Sequence, residues 1–256
     1  MGKFLPYVSN SLKNSSAYKA NLVGYIALTF IVTLIRLLYA DSIYQNTSSL
    51  KGWTLEEFNG LIFFMLVISL LLNTFASSIN NFFYALLSGK LEPLLMQPVP
   101  LVYHMLLRWA NNNNLLILFG LLILNALYVN MLKLDFTLLS ITITLLTVFF
   151  TVISNLAFVT FLHSISLLSQ KYLPVEYIHS EMFKLNLLPP HLFGMMSLIA
   201  IISLVPSLVG AGVTVTALLN PYSSLIYYYW LSTVICVIIA WQFFRVLMKK
   251  RISLGG

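Results

Sequence analysis

Four histidines, seven carboxylates and one thiol are all that this 256-residue chain offers for acid–base, nucleophilic or metal chemistry. Their spacing suits none of these. His179 and Glu181 stand two positions apart, so a helix would set them on different faces. No serine lies in a G-x-S-x-G or G-x-S-G setting, and no H-E-x-x-H helix occurs. No glycine-rich phosphate loop is present, so the chain cannot bind ATP by that route. Cys236, the single cysteine, excludes an internal disulfide and a Cys-based metal site, and its apolar surroundings read as a packed, inert thiol. The expectation is a protein that is not an enzyme, with no catalytic, cofactor-binding or metal-binding residue. What remains is the chemistry of docking, and one stretch carries it: SGKLEPLLMQPVP, residues 88–100. This segment is bracketed by prolines and holds an apolar Leu-Leu-Met cluster that a solvated loop does not need.

The elements that position this segment follow from composition. Hydrophobic residues make up 59% of the chain and charged residues 8%, against roughly 25% charged in a soluble domain. That marks an all-α, polytopic membrane protein. Reading from charge to charge, with about 20 residues per crossing, predicts six transmembrane helices at about 21–40, 61–87, 112–132, 137–162, 192–214 and 223–247. The last two share a 60-residue stretch without charge, and Asn220-Pro221-Tyr222-Ser223-Ser224 supplies the turn between them. With the N-terminus in the cytoplasm, 11 of the 14 Lys and Arg residues face the cytoplasm, Lys51 and Lys133 lie outside, and Arg36 lies in the first helix. The positive-inside rule therefore sets both termini in the cytoplasm. It also makes the net charge of +7 a topology and lipid-headgroup signal rather than a nucleic-acid footprint. Membrane lipid is an expected partner; nucleic acid is not.

Within that topology the four histidines, His104, His163, His179 and His191, fall in or beside the two inner connections, where headgroup level suits them better than metal binding. The spans hold essentially no ionisable residue beyond Arg36, which can snorkel toward Asp41. A proton-coupled transporter or a charged ion filter needs more than that. The energy for any transport must come from elsewhere.

Three features break the pattern of plain spans. Residues 1–20 carry Phe4, Leu5, Val8 and Leu12 among Lys13 and Lys19, which fits an amphipathic helix at the inner interface or a frayed tail. The segment lacks the apolar core of a cleavable signal, and Pro6 stands where a myristoylation signal wants Ser or Thr. Pro206, Gly210 and Gly212 interrupt the fifth helix ahead of Asn220 and Pro221, as a re-entrant element or as a proline kink. In the third feature, Gly89 ends the second helix. Pro93 and Glu92 then suit the first turn of a short new helix that Pro98 stops. That helix would present Leu91, Leu94, Leu95 and Met96, flanked by Lys90, Glu92 and Gln97, as helix-in-groove docking requires; a compact loop packed on its own bundle is the alternative.

Three stretches carry a resemblance. AYKANLVGYIALTFIVTLIRLLY at 17–39, followed by GWTLEEF at 52–58, is the first. SGKLEPLLMQPVPLVYHML at 88–106 is the second, and the third is the Pro206 helix, LLNPYSS, the final span and KKRISLGG. Together they resemble the ABC-2-type permeases, the six-helix membrane subunits of bacterial ABC exporters; residues 110–190 match in hydropathy alone. The resemblance implies a coupling helix at Lys90–Gln97 seated in a separate ABC ATPase subunit, with ATP and Mg on that partner. It also implies an N-terminal interfacial helix over 1–20, a permease domain over 21–256, a re-entrant outer link between helices five and six, and a second permease copy or sister permease. The location implied is the bacterial cytoplasmic membrane. The alternative is a membrane-embedded immunity or scaffold protein without transport activity. Apolar spans bearing Ser, Thr, Asn and Tyr suit an amphipathic cargo, and suit tight helix packing equally.

Overall fold

A computed structural model describes residues 19–45, 47, 49, 52–91, 96, 99–132, 137–169 and 173–254. The N-terminal segment 1–18 and most of the 92–98 stretch lie outside them. Among the described residues the chain is helical throughout. Four helices are long and apolar enough to cross a membrane: Val23–Tyr44, Leu55–Leu87, Leu138–Ser169 and Ser224–Lys249. In chain order the helices are α1 (Lys19–Tyr44), α2 (Leu55–Leu87), α3 (Leu101–Leu107), α4 (Asn113–Leu132), α5 (Leu138–Ser169), α6 (Val175–Phe183), α7 (Met195–Leu204), α8 (Gly210–Leu219) and α9 (Ser224–Leu254). Short 3-10 turns at Lys184–Leu187, Pro190–Leu192 and Pro206–Leu208 link α6 to α8.

The frame is three long helices running in the same direction. Asn80 and Phe83 of α2 meet His163 of α5, and Phe83 also meets Phe244 of α9. Toward the other end, Tyr229 and Trp230 of α9 bond Thr151 and Thr147 of α5. α2, α5 and α9 hold 33, 32 and 31 residues. At 1.5 Å per residue each measures about 45–50 Å, while a bilayer core is about 30 Å thick. α2 starts six residues earlier and α5 ends seven later than expected from charge spacing, because an expectation of bilayer length stops short of both. The surplus turns are held by a core of their own, in which Ile79, Phe82, Phe83, Leu91, Met105, Val159, Phe244 and Leu247 pack together.

Local chemistry fixes the ends of α2. Thr54 and Glu57 form a reciprocal capping box, with Thr54 Oγ1 accepting from the Glu57 amide and Glu57 Oε2 accepting from the Thr54 amide at 2.8 Å. At the far end Gly89 takes φ +73°, and the Lys90 amide donates to the Ala85 carbonyl at 2.9 Å. That is a Schellman stop, which glycine adopts without the cost a Cβ brings. It is the helix end expected of Gly89.

Packing between α5, α8 and α9 is of the membrane kind. Ser140, Thr144, Thr147, Thr151 and Asn155 line one buried stripe of α5. The Thr144, Thr147 and Thr151 hydroxyls and the Asn155 amide each donate to the carbonyl four residues back. Their polarity is thus satisfied inside the helix while their small size admits a close neighbour. That neighbour is α8, which opens Gly-Ala-Gly. A Cβ on Gly210 would lie 2.2 Å from Thr151 Cγ2, and one on Gly212 2.3 Å from Pro190 Cδ. No side chain fits at either place.

Candidate functional site

The expected docking segment starts where α2 stops. Lys90 is exposed directly after the Gly89 turn, and Met96 is 85% exposed. Leu91 is 2% exposed and belongs to the core that binds the ends of α2, α5 and α9. Its expected place on the outward apolar face is therefore corrected: it anchors the segment to this chain and is not free for a partner. Glu92, Pro93, Leu94, Leu95 and Gln97 lie outside the described residues. Beyond them α3, which the sequence reading passed over, lies against α2. His104 of α3 is buried with Nε2 unpaired, and Arg108 follows with its guanidinium 5.4 Å from the Trp109 ring. Burial, and after it the charge of Arg108, lowers the His104 pKa below its ordinary value, so the neutral ring is the packed form.

The second expected site is the interruption ahead of α9. Residues 192–214 do not fold as one continuous helix. α7 and α8 each have ten residues, and Pro206 opens the 3-10 turn between them. The direction of each arm follows from its contacts. Leu198 packs in the cluster of Ile226 and Tyr229, and Cys236 Sγ reaches the Ser203 and Leu204 carbonyls at 4.0 and 3.9 Å. α7 therefore runs the same way as α9. α8 runs back: Gly210 lies against Thr151, and Ala217 packs with Ile143 and Ile226. The two arms form a V whose apex, Val205–Val209, lies level with the middle of α5. Asn186 braces the apex, donating to the Ser207 carbonyl at 2.9 Å and accepting from the Ala211 amide at 3.0 Å. Asn220 and Pro221 then make the turn into α9, with the Ser223 amide donating to the Asn220 carbonyl at 3.1 Å. Pro206, Gly210 and Gly212 thus come together in the V, while Asn220 and Pro221 stand at its rim.

His104, His163 and His179 lie toward the Lys90 end, beside the connections where they were expected, but packed against protein; His191 lies at the opposite end. His163 is fully buried inside α5, its ring 4.8 Å from Phe83 in a stack and its Nε2 2.6 Å from Asn80 Oδ1. An amide oxygen only accepts, so Nε2 carries the proton. His179 Nε2 lies 3.1 Å from Asn155 Oδ1, while Glu181 pairs with Lys184. His191 Nδ1 accepts from Trp53 Nε1 at 2.8 Å. Trp53 lies at the opposite end of α2 from Lys90, so His191 belongs to the end away from the docking segment. The physical reason is the extra length of α5, which carries His163 into the bundle, and the passage of 175–192 along α2 to the Trp53 end. Arg36 likewise turns to α2, its Nη1 4.0 Å from Met65 Sδ, rather than toward Asp41.

One group of residues was missed. Asn80 accepts from His163 and donates through Nδ2 to Glu176 Oε1 at 2.5 Å, coupling α2, α5 and α6. The signal was present in α2, where Asn73, Ser77 and Asn80 recur at i, i+4 and i+7 on one face of an apolar helix.

Among the described residues no group of three or more His, Cys, Asp or Glu side chains could hold a metal. The arrangement is one of helix packing, with an exposed Lys90 and Met96 toward one end and a braced V entering from the other. No curated protein and no solved structure matches the chain. A family model described as ABC-2 family transporter protein matches residues 30–255, and the chain belongs to that family of membrane transport subunits.

Proposed function

We propose that this permease serves an exporter in a bacterial cytoplasmic membrane, with six crossings and both termini in the cytoplasm. A separate ABC ATPase, with its ATP and Mg, drives it through the 90–97 segment. A second permease copy or a sister permease completes the pathway. The observation that carries the reading is the Lys90 end of the bundle. Three helices longer than a bilayer is thick converge there on their own core, and the chain leaves that core at an exposed Lys90 and an 85% exposed Met96. Leu91 ties the segment's root to the bundle, so force on the segment reaches α2, α5 and α9 together. Support for the re-entrant reading is the V, which descends from the Trp53 end and returns to it. The broken backbone at its apex is surrounded by protein, as membrane depth demands.

The test is Leu94→Asp and Leu95→Ala in the permease co-expressed with its ATPase. Truncating a central apolar anchor costs about 2 kcal/mol or more, while rim charges cost little. Both variants are expected to lose ATPase co-purification and to uncouple hydrolysis from transport, with the permease still folded. Lys133→Ala, on the far side, serves as the control. Unchanged ATPase binding in Leu94→Asp would leave the segment as ordinary packing and favour a membrane scaffold.

A further inference from the structure

A cleft of about 530 Å³ opens between α1, α2, the start of α4 and α6. Its walls carry the side chains of Asn73, Asn80, Asn111 and Asn114 and the carboxylate of Glu176. The volume is that of a small-molecule site. Its depth is set by α4: the Asn111 amide donates to the Thr74 carbonyl at 2.9 Å, so α4 begins level with this part of α2. From Glu57 to Asn80 is 23 residues of helix, about 35 Å at 1.5 Å per residue. Leu70 and Asn73, 13 and 16 residues from Glu57, line it too, so the cleft reaches from within the apolar core, about 20 Å from the capped end of α2, to headgroup depth at Asn80 and Glu176.

We propose that this cleft receives the ammonium head of an amphiphile. Glu176 is the one charged group among the described lining residues, and no Lys or Arg joins it. An anionic head would meet a carboxylate with no cation to offset it. An ammonium has three N–H donors and no acceptor, and the walls answer with carboxylate and amide oxygens. Asn80 orders the carboxylate. Its Oδ1 is held by His163, so its Nδ2 is fixed on Glu176 Oε1, which leaves Oε2 without a partner among the described residues. Tyr25 and Tyr177, both largely exposed, stand at the wall and offer ring faces to a cation. The tail has a track beside Tyr25 on the same side of α1, where Leu28 and Val32 are exposed one and two turns on. The inference deepens the permease reading by naming a cargo chemistry. Its test needs no ATPase, so failure here leaves the coupling experiment standing.

The probe is spin-labelled stearylamine, compared with spin-labelled stearic acid. The receiver is this 256-residue chain in phosphatidylcholine nanodiscs, with Cys236→Ser and a bimane-labelled Ser180→Cys at the cleft wall. The amine is expected to quench saturably at a half-saturation at least ten-fold below that of the acid. Glu176→Gln should bring the two within two-fold at an unchanged melting midpoint. Asn73→Asp, which adds a second carboxylate, should widen the amine's advantage, and it decides the matter if Glu176→Gln fails to fold. Replacing phosphatidylcholine with phosphatidylethanolamine raises the amine's half-saturation if the lipid itself occupies the cleft. It leaves it unchanged if the occupant is a free amphiphilic amine. Equal quenching by amine and acid, or a preference that neither Glu176→Gln nor Asn73→Asp moves, overturns the proposal.

Discussion

Gly210→Ala puts one methyl group into the tightest contact of the bundle, and its cost can be worked from the distances. The new Cβ would lie 2.2 Å from Thr151 Cγ2 and 2.7 Å from Tyr229 Oη, where ordinary contact begins at 3.4 Å. Something must move by about 1.2 Å. α8 cannot retreat, because Gly212 on its other side already meets Pro190, with room for no more than a hydrogen. The movement then falls on Thr151, whose hydroxyl donates to the Thr147 carbonyl at 2.8 Å and accepts from the buried Tyr229 hydroxyl at 3.0 Å. Overpacking costs about 1–3 kcal/mol, and leaving a buried hydroxyl unpaired costs about 1–3 kcal/mol. Alanine returns about 1 kcal/mol of helix propensity. The net expectation is a loss of about 3 kcal/mol, read as a lower denaturant midpoint in mild detergent. Thr151→Ser removes Cγ2 and keeps the hydroxyl, so the double variant should recover about 1 kcal/mol as a coupling term. Should Gly210→Ala prove as stable as the parent or more so, or should Thr151→Ser bring no relief, the wedged α8 is the wrong account.

Cysteines at positions 49 and 88, in a Cys236→Ser background, should react with an outside-only reagent at 49 and not at 88; the reverse pattern overturns the orientation. Gly89→Ala forces a Cβ into the left-handed turn after α2 and should cost about 1 kcal/mol, measured by chemical unfolding. Trp53→Phe removes the hydrogen bond to His191 and should lower stability by about 1 kcal/mol, with ATPase association unaffected. For His104 the folded pKa is lowered, so the unfolded chain takes up the proton first. The stability tied to the neutral ring is full above about pH 6.5 and is lost as pH falls from there through the folded value. Melting midpoints between pH 7.5 and 5.5 should fall more for the parent than for His104→Gln, and equal slopes would remove His104 as the cause.

What could be read from the sequence was what solvent and bilayer dictate residue by residue. The apolar runs marked α1, α2, α5 and α9. Gly89 marked its own turn because a left-handed residue after a helix wants glycine, and Pro206 with Gly210 and Gly212 marked the break. What escaped depends on partners distant in sequence. Leu91 looked like a free anchor because nothing local says that it joins the buried cluster of Phe83 and Phe244. His163 looked like a headgroup residue because bilayer length ended α5 at residue 162, before its surplus turns. Asn80 and Glu176 are 96 positions apart, and one sequence gives no sign that the fold brings them together.

The three long helices have a further consequence, which concerns stiffness. From Leu61 to Leu87, from Leu138 to Ser169 and from Ser224 to Leu254 there is neither glycine nor proline, the residues at which helices commonly kink. These rods share one apolar clamp at the Lys90 end, so a push there tilts them as a unit instead of bending any one. Between α6 and α9 the chain instead gathers Pro189, Pro190, Gly194, Pro206, Gly210 and Gly212. A tilt of the rods would therefore be taken up in large part at this broken stretch. Its joint is the V, held by the two hydrogen bonds of Asn186; under the proposed coupling it would limit how far a push at one face is felt at the other.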